Sequence, residues 1–328
     1  MKKKTKILIS VLVLAAAILT AGSFWAGNYL VDYALYRTDQ APESAHDGKA
    51  PVGETYGNEE ANKAREQLLT DVWLETVNIE KTEIVSDDGL TLRALQYTAD
   101  PSAHRYALVI HGYTSNKEAM QTEARHFSEL GYTVITPDNR AHGESGGSYI
   151  GMGWLDRKDL LLWIQQIMNQ DSQAEIILYG VSMGGAAVMM TAGEALPDNV
   201  KAIIEDCGYT SVYDMFKNQL DYRFGLPEFP FLAAADIMTG IRAGYHFKEA
   251  SALEQLKKAS VPMMFIHGSN DTYVPTNMVY QVYEACPSEK ELLIIEGAAH
   301  AASADVDPEL YWTSIAAFLN RFLNSLSN

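Results

Sequence analysis

The chain is poor in cysteine and has no pattern typical of a bound cofactor. Its 328 residues include two cysteines, Cys207 and Cys286. The sequence does not place these two together, so a disulfide stays open, and we expect two free, mostly buried thiols. No cysteine and histidine cluster has metal-site spacing, and there is no glycine-rich phosphate loop or internal repeat. We therefore expect chemistry by side chains alone, with no metal and no other cofactor.

Positive charge is also scarce. The chain has 25 basic and 42 acidic residues, a net charge of −17 at pH 7. Four lysines lie within the first six residues, which leaves 21 basic against 42 acidic residues in the remainder. A surface this acidic disfavours nucleic acid and anionic lipid headgroups. We expect no nucleic-acid partner.

A long uncharged segment follows the N-terminal lysines. It runs from Ile7 to Leu30, and as a helix it would be about 36 Å long, enough to cross a hydrocarbon core of about 30 Å. Because the basic side of such a segment stays in the cytoplasm, the rest of the chain should face outward. Residues 1–38 are therefore predicted to be a signal-anchor that crosses the cell membrane once.

A cleaved signal peptide is the alternative interpretation of this segment. Residues 7–21 would be its apolar core, with small residues following, and the product would be secreted. However, the apolar character continues through residues 24–26. Trp25, Tyr29 and Tyr33 would suit an aromatic belt at the membrane interface. The pattern favours the uncleaved anchor.

The segment after the anchor changes in composition. Asp39 to Tyr56 is rich in proline, glycine, serine and charge, which is typical of a flexible stem. Asn58 to Val72 has the pattern of an amphipathic helix. Residues 39–74 are thus predicted to be a stem with a leading helix, and residues 75–328 remain for one globular domain of ordinary size.

The globular part begins with a hairpin signal and then alternates strands with helices. Val77 to Val85 and Leu90 to Tyr97 flank an Asp-Gly step at residues 88–89. The alternation that follows predicts a mostly parallel sheet covered on both faces by helices.

One short motif carries the strongest chemical signal. Residues 180–184 read Gly-Val-Ser-Met-Gly, between an apolar strand pattern at 176–179 and a small-residue helix pattern at 186–190. This strand, sharp turn and helix is the context of a nucleophile elbow, in which the central residue has a positive φ and the glycines avoid a collision. Ser182 is the predicted nucleophile.

A serine nucleophile needs an imidazole that takes its proton and a carboxylate that orients the imidazole. The strand pattern Val261 to Ile266 is followed by a loop that contains Asp271, and the strand pattern Glu291 to Ile295 is followed by a loop that contains His300. Catalytic groups collect at the carboxyl ends of strands in an open parallel sheet. We expect Ser182, Asp271 and His300 to meet there.

The order serine, acid, histidine resembles that of the α/β-hydrolase superfamily, over roughly residues 75–325. Residues 106–113 resemble its strand and His-Gly turn. Residues 134–145 resemble its Asp-x-Arg-Gly-His-Gly-x-Ser loop, with Ala141 in place of the usual glycine. The resemblance implies an eight-stranded, mostly parallel sheet with helices on both faces. It also implies a helical lid between strands 6 and 7, at about residues 209–256.

The resemblance also suggests the remaining site residues. The backbone N–H groups of Tyr113 and Met183 would form the oxyanion hole. The Tyr113 hydroxyl is an alternative donor, as in hydrolases that resemble prolyl peptidases. Asp206, at the end of an earlier strand, is a rival for the acid. Otherwise its carboxylate would cap the turn at residues 210–211.

The other histidines and the aromatic residues of the lid have weaker signals. His111 and His142 lie in family motifs, and His267 precedes the loop that contains Asp271; a structural role is expected for all three. The predicted lid is rich in aromatic residues, and an apolar roof favours acyl groups over charged substrates. Four of these residues are candidates for a substrate pocket: Tyr213, Phe216, Phe224 and Phe231.

Taken together, these patterns resemble an esterase or lipase that cleaves carboxylic esters through an acyl-enzyme intermediate. The alternative within enzymes is a serine peptidase of the aminopeptidase or prolyl-peptidase type, which shares the same three residues. The expected partner is therefore a small-molecule or peptide acyl substrate. A non-catalytic binding protein on the same scaffold is the remaining alternative.

Overall fold

A computed structural model describes residues 2–37, 53–54, 58–98 and 101–323. Most of the predicted stem, residues 39–56, lies outside the described residues. The described chain contains one eight-stranded sheet. Its strands are β1 (Asn78–Val85), β2 (Thr91–Thr98), β3 (Arg105–Ile110), β4 (Thr133–Pro137), β5 (Glu175–Val181), β6 (Val200–Asp206), β7 (Met263–Gly268) and β8 (Lys290–Ile295).

The strands lie in the order β1-β2-β4-β3-β5-β6-β7-β8. β2 is antiparallel to both of its neighbours, and every other neighbouring pair is parallel. The predicted hairpin is formed by β1 and β2, where Val85 pairs with Thr91 and Gly89 has a φ of +84° in the turn. The predicted eight-stranded, mostly parallel sheet is therefore confirmed.

Eleven α-helices lie in the described part of the chain. They are α1 (Lys2–Leu35), α2 (Glu59–Leu74), α3 (Gln121–Glu129), α4 (Asp156–Gln170), α5 (Met183–Thr191), α6 (Val212–Phe224), α7 (Glu228–Arg242), α8 (Ala252–Leu256), α9 (Asn277–Ala285), α10 (Ser303–Val306) and α11 (Pro308–Leu323).

The helices cover both faces of the sheet because successive strand residues point to opposite sides. In β5, Ile176 and Leu178 belong to a core with α4, α5, α8 and α9. Ile177 and Tyr179 belong to a second core with α3 and α11. Each face is therefore buried under its own layer of helices, as the sequence predicted.

The connection between β6 and β7 carries the helices α6, α7 and α8. Ser211 caps α6, because its hydroxyl oxygen accepts the N–H of Asp214 over 3.0 Å. Gly225, with a φ of +59°, ends the same helix in the left-handed conformation that glycine adopts without strain. We call residues 209–256 the insertion.

The N-terminal helix α1 has two different halves. Residues 5–22 are exposed, and the helix is long and apolar enough to be a membrane anchor or a signal sequence. From Gly27 onward α1 packs along α7, so that Val31 and Leu35 are buried.

The end of α1 is also fastened to the loop that follows β4. The N–H of Ile150 donates to the carbonyl oxygen of Leu35 over 2.8 Å, and the Arg37 guanidinium donates to the carbonyl oxygens of Gly143 and Ser145. The second half of α1 is therefore attached to the globular domain.

Candidate active site

Ser182 lies in a strained turn between β5 and α5. Its φ is +57° and its ψ is −114°, a conformation that side chains rarely adopt and that exposes the hydroxyl at the sheet edge. A Cβ at Gly180 would lie 2.2 Å from the carbonyl oxygen of Gly184. A Cβ at Gly184 would lie 2.2 Å from that of Ile110. Both neighbours are backbone atoms, so only glycine fits at either position.

The three predicted residues meet at the carboxyl ends of β5, β7 and β8. His300 Nε2 lies 2.8 Å from Ser182 Oγ, and His300 Nδ1 lies 2.7 Å from Asp271 Oδ2. These are hydrogen-bond distances, so the serine hydroxyl, the imidazole and the carboxylate form one continuous chain. Asp271 is buried, while Ser182 and His300 line a cavity.

Asp271 is held as a carboxylate by its surroundings. Its Oδ1 accepts the N–H groups of Tyr273 and Val274, each over 2.9 Å. Burial alone would raise the pKa of Asp271, but hydrogen bonds from His267 and His300 outweigh it and hold this pKa below its usual 3.8. A negative charge therefore faces His300 at neutral pH.

Asp206, the rival acid, bonds to a different partner. Its Oδ2 accepts the Tyr311 hydroxyl over 2.9 Å, and burial raises its pKa to about 6. It does not cap residues 210–211 as expected. That interpretation was wrong because Ser211 itself accepts the helix N–H, and the carboxylate points instead to α11.

The groups predicted to form the oxyanion hole lie beside Ser182. Met183 is the first residue of α5, where an N–H has no partner within the helix. The position that a Cβ would take at Gly112 is 3.4 Å from Ser182 Cβ, so the Gly112–Tyr113 turn approaches the serine closely. The Tyr113 hydroxyl donates to the carbonyl oxygen of Ala34 over 2.9 Å. The Tyr113 hydroxyl, the alternative donor for the oxyanion hole, is therefore already bonded to α1.

The motif histidines fasten loops around the site. His111 Nε2 accepts the N–H of Asn139 over 3.0 Å, and burial lowers the pKa of His111 to about 4, so this ring is neutral. The His142 ring packs edge-on against it, with ring centroids 5.0 Å apart. His267 Nε2 donates to the carbonyl oxygen of Val274 over 2.9 Å.

Two buried ion pairs that sequence reasoning missed hold the loop that contains Ala141. Lys117 Nζ lies 2.7 Å from Asp138 Oδ2, and Arg140 Nη2 lies 2.7 Å from Asp159 Oδ1. All four side chains are nearly inaccessible. The motif suggested Asp138 and Arg140, but their partners lie about 20 residues away without a motif of their own.

A cavity of about 590 Å³ opens beside Ser182. Two of the four predicted pocket residues, Phe216 and Phe224, line it. Tyr213 and Phe231 are not among the described lining residues. Tyr213 instead bonds to Glu228 and lies under the Lys248 ammonium group. Phe231 packs against the core on the α5 side of the sheet.

Part of the cavity wall comes from α1, a contribution that sequence reasoning missed. Leu30, Val31 and Ala34 line the cavity together with residues of the insertion. The polar residues Asn28 and Asp32 could have indicated that this part of α1 contacts protein. These lie one turn apart within an otherwise apolar helix, and both pair with Arg242 of α7. Such a polar face indicates contact with protein rather than with lipid.

One group of described side chains has the spacing of a metal site. Cys207 Sγ, a carboxylate oxygen of Asp271 and a nitrogen of His300 lie within 4.8 Å of one another. A metal bound there would take the groups that connect His300 to Asp271. It would therefore compete with the hydrogen-bond chain that reaches Ser182.

Comparisons with known proteins agree with this fold. A family model for the α/β hydrolase fold matches residues 108–236. The protein YqkD of Bacillus subtilis is 28% identical over 257 residues, which cover 78% of this chain and 84% of YqkD.

Two solved structures share the fold. The esterase Pf2001 of Pyrococcus furiosus superposes with a TM-score of 0.62 at 22% identity, covering 75% of this chain and 93% of the esterase. The acylaminoacyl peptidase of Pyrococcus horikoshii superposes with a TM-score of 0.58 at 18% identity, covering 78% of this chain and 43% of the peptidase. These structures show that the chain has the α/β-hydrolase fold, and the family model supports a place for it in the α/β-hydrolase superfamily.

Proposed function

We propose that the protein is a serine hydrolase that cleaves carboxylic esters. The observation that carries this proposal is the unbroken hydrogen-bond chain from Asp271 through His300 to Ser182 Oγ. The Ser182 end of this chain lies in the wall of a mostly apolar cavity. A hydroxyl becomes an effective nucleophile when a neighbouring imidazole takes its proton and a carboxylate stabilises the imidazolium. Each of these groups is present at hydrogen-bond distance.

The reaction proceeds in two halves. Ser182 Oγ attacks the ester carbonyl and gives its proton to His300 Nε2, and the N–H groups of Met183 and Tyr113 bind the carbonyl oxygen as it becomes negative. The carbon–oxygen bond then breaks, and the leaving alcohol takes the proton from His300. Water, deprotonated by His300, releases the acid from the acyl-enzyme and regenerates Ser182.

The lining of the cavity supports an acyl group as the bound half of the substrate. Around Ser182 the wall includes Val31, Met215, Phe216 and Leu232. Lys63, Glu123 and Arg223 also line the cavity, but its wall is mostly apolar and favours apolar chains.

We place the protein in the cell membrane, with α1 as its anchor and the hydrolase domain on the outer side. The secreted form after cleavage is the alternative.

A serine peptidase is the second candidate, because a carboxyl group lines the same cavity. Glu123 Oε2 has no hydrogen-bond partner among the described residues, and burial raises the pKa of Glu123 to about 7. A carboxylate in this position would hold the amino group of an aminoacyl substrate. Comparing hydrolysis of matched acyl esters and aminoacyl amides separates the two candidates, and faster amide cleavage would favour the peptidase.

The proposal is tested with the full chain in detergent, because α1 contributes to the cavity wall. The wild type and Ser182→Ala are exposed to a fluorophosphonate probe, and the label is located by mass spectrometry. We expect labelling of Ser182 in the wild type and none in the variant. A folded wild type that stays unlabelled would instead support the non-catalytic binding protein.

A further inference from the structure

Four aromatic side chains form a continuous row that starts on α1. Trp25, Tyr29 and Tyr33 share one helix face because they are four residues apart. Their neighbouring ring centroids are 6.3 Å and 6.2 Å apart. At the end of the row, Phe224 of α6 meets Tyr33 edge-on with 5.3 Å between centroids. We call these four residues the aromatic track.

The aromatic track connects the exposed half of α1 with the cavity at Ser182. At one end Trp25 is 74% exposed. At the other end Tyr33 and Phe224 line the cavity. Trp25 and Tyr33 are eight residues apart, which corresponds to about 12 Å along a helix. A row of rings of this length therefore leads from the surface of α1 to the wall of the cavity that also contains Ser182.

The exposed end of the aromatic track lies next to the apolar half of α1. Residues 5–22 are exposed and would form about 27 Å of helix, close to the thickness of a hydrocarbon core. Polar contacts begin just beyond Trp25, where Asn28 and Asp32 bind Arg242. Trp25 therefore stands at the boundary between the apolar segment and the polar contacts, the position that tryptophan favours at a membrane interface.

The insertion adds apolar surface on the same side. Gly27 contacts Ala234, while Arg242, eight residues further on, reaches Asn28 and Asp32, so α7 runs in the same direction as α1. Phe229 precedes Ala234 and thus lies toward the apolar half of α1. Its side chain is 79% exposed. An exposed aromatic ring of the insertion therefore lies toward the end of α1 that we propose to be in the membrane.

We propose that the substrate is an ester lipid of the leaflet that surrounds α1, and that its acyl chain reaches Ser182 along the aromatic track. The inference rests on the proposed ester hydrolysis and specifies where the ester comes from. Along the aromatic track the acyl chain stays in contact with aromatic rings, so most of the cost of exposing it to water is avoided. At the inner end the Arg223 guanidinium donates to the Tyr33 hydroxyl over 2.9 Å and also lines the cavity.

The test uses the full chain reconstituted in phosphatidylcholine vesicles and compares two substrates. One is 1-palmitoylglycerol in the vesicle membrane, and the other is water-soluble p-nitrophenyl butyrate. The test variant is Tyr29→Asp, which puts a charge on the aromatic track without changing a residue that lines the cavity. The matched control is Tyr280→Asp on α9, because the two tyrosines are 42% and 48% exposed.

We expect Tyr29→Asp to lower hydrolysis of 1-palmitoylglycerol by roughly tenfold or more, since a carboxylate in an apolar path is costly, and to leave hydrolysis of p-nitrophenyl butyrate nearly unchanged. Tyr280→Asp should leave both rates unchanged, and Tyr29→Phe should retain both. Equal effects of Tyr29→Asp on the two substrates, or no effect on either, would overturn the inference. Failure of the wild type to hydrolyse p-nitrophenyl butyrate would overturn the proposed function itself.

Discussion

Asp271 contacts His300 with one carboxylate oxygen and uses the other to accept two backbone N–H groups. The carboxylate is therefore fixed in orientation before it orients the imidazole. In Asp271→Asn the amide oxygen can keep the backbone bonds, but its NH2 group would face His300 Nδ1 and impose the wrong tautomer. We expect the fold to persist and turnover of p-nitrophenyl butyrate to fall by roughly 10⁴.

The control for this variant is Asp206→Asn. Asp206 bonds to Tyr311, and an asparagine oxygen can accept the same hydroxyl. Turnover should therefore stay within a few-fold of the wild type. The opposite pattern, with Asp271→Asn active and Asp206→Asn inactive, would show that Asp206 is the acid that orients His300.

Lys117 and Asp138 form an ion pair in which both side chains are buried. Hydrogen bonds to Asp138 and Glu144 raise the pKa of Lys117 although burial opposes this, so the ammonium group stays charged. Lys117→Met would leave Asp138 as an unpaired buried charge, at a cost of about 3–5 kcal/mol. We expect the midpoint of thermal unfolding to fall by roughly 10 °C.

Lys81→Met is the matched control for the buried pair. Lys81 also approaches Glu144, at 3.3 Å, but its side chain is 74% exposed. Exposed pairs contribute up to about 1 kcal/mol, so this variant should unfold near the wild-type temperature. Similar losses in both variants would show that burial of the Lys117 pair is not what stabilises the loop.

Glu205 gives a prediction about pH. Its side chain is fully buried, and burial raises the pKa of its carboxyl from 4.5 to about 8. Between these two pH values the folded state binds more protons than the unfolded state, so the free energy of unfolding decreases as pH rises. Glu205→Gln cannot ionise and should lose less stability over this window, by at least about 1.4 kcal/mol, the equivalent of one pKa unit.

Thermal unfolding of the wild type and Glu205→Gln between pH 5 and pH 8 measures this difference. A buried carboxyl outside the surroundings of Glu205, such as Asp159, titrates in both proteins and cancels in the comparison. Glu60→Gln, an exposed residue of α2, should follow the wild type at every pH. Parallel curves for the wild type and Glu205→Gln would contradict the prediction.

Gly184 tests the packing beneath the nucleophile. In Gly184→Ala the new methyl group would meet the carbonyl oxygen of Ile110, which belongs to β3 and cannot move aside without disturbing the sheet. We expect a destabilisation of about 1–3 kcal/mol and loss of fluorophosphonate labelling at Ser182. Gly22→Ala, where no atom lies within 4 Å, should keep both stability and labelling.

The sequence predicted those features that depend on local pattern and chain order. The turn around Ser182 is recognisable because strand, glycines and helix are consecutive. Asp271 and His300 follow strands of one parallel sheet, so their loops had to lie at one edge. The mostly parallel sheet followed from the alternation of strands and helices, whereas the number of eight strands came from the resemblance to the α/β hydrolases.

What the sequence could not predict depends on contacts between distant segments. The contact between Gly27 and Ala234 joins residues about 200 positions apart, and no pattern within α1 determines which helix it meets. Tyr213 and Phe231 were predicted to line the pocket because the insertion is rich in aromatic residues. Composition does not determine which face of a helix lies toward the cavity, and the side chains of Tyr213 and Phe231 are not among its lining residues.

The hydrogen bonds that join Leu35 and Arg37 to the loop after β4 attach the second half of α1 to the globular domain. With α1 standing in a bilayer, as proposed, Ser182 keeps one height and one orientation relative to it. The distance from the membrane at which the enzyme acts is then set by the geometry of α1 and not by the length of residues 38–57. Such a hydrolase would act on its own membrane and leave the esters of a facing membrane untouched.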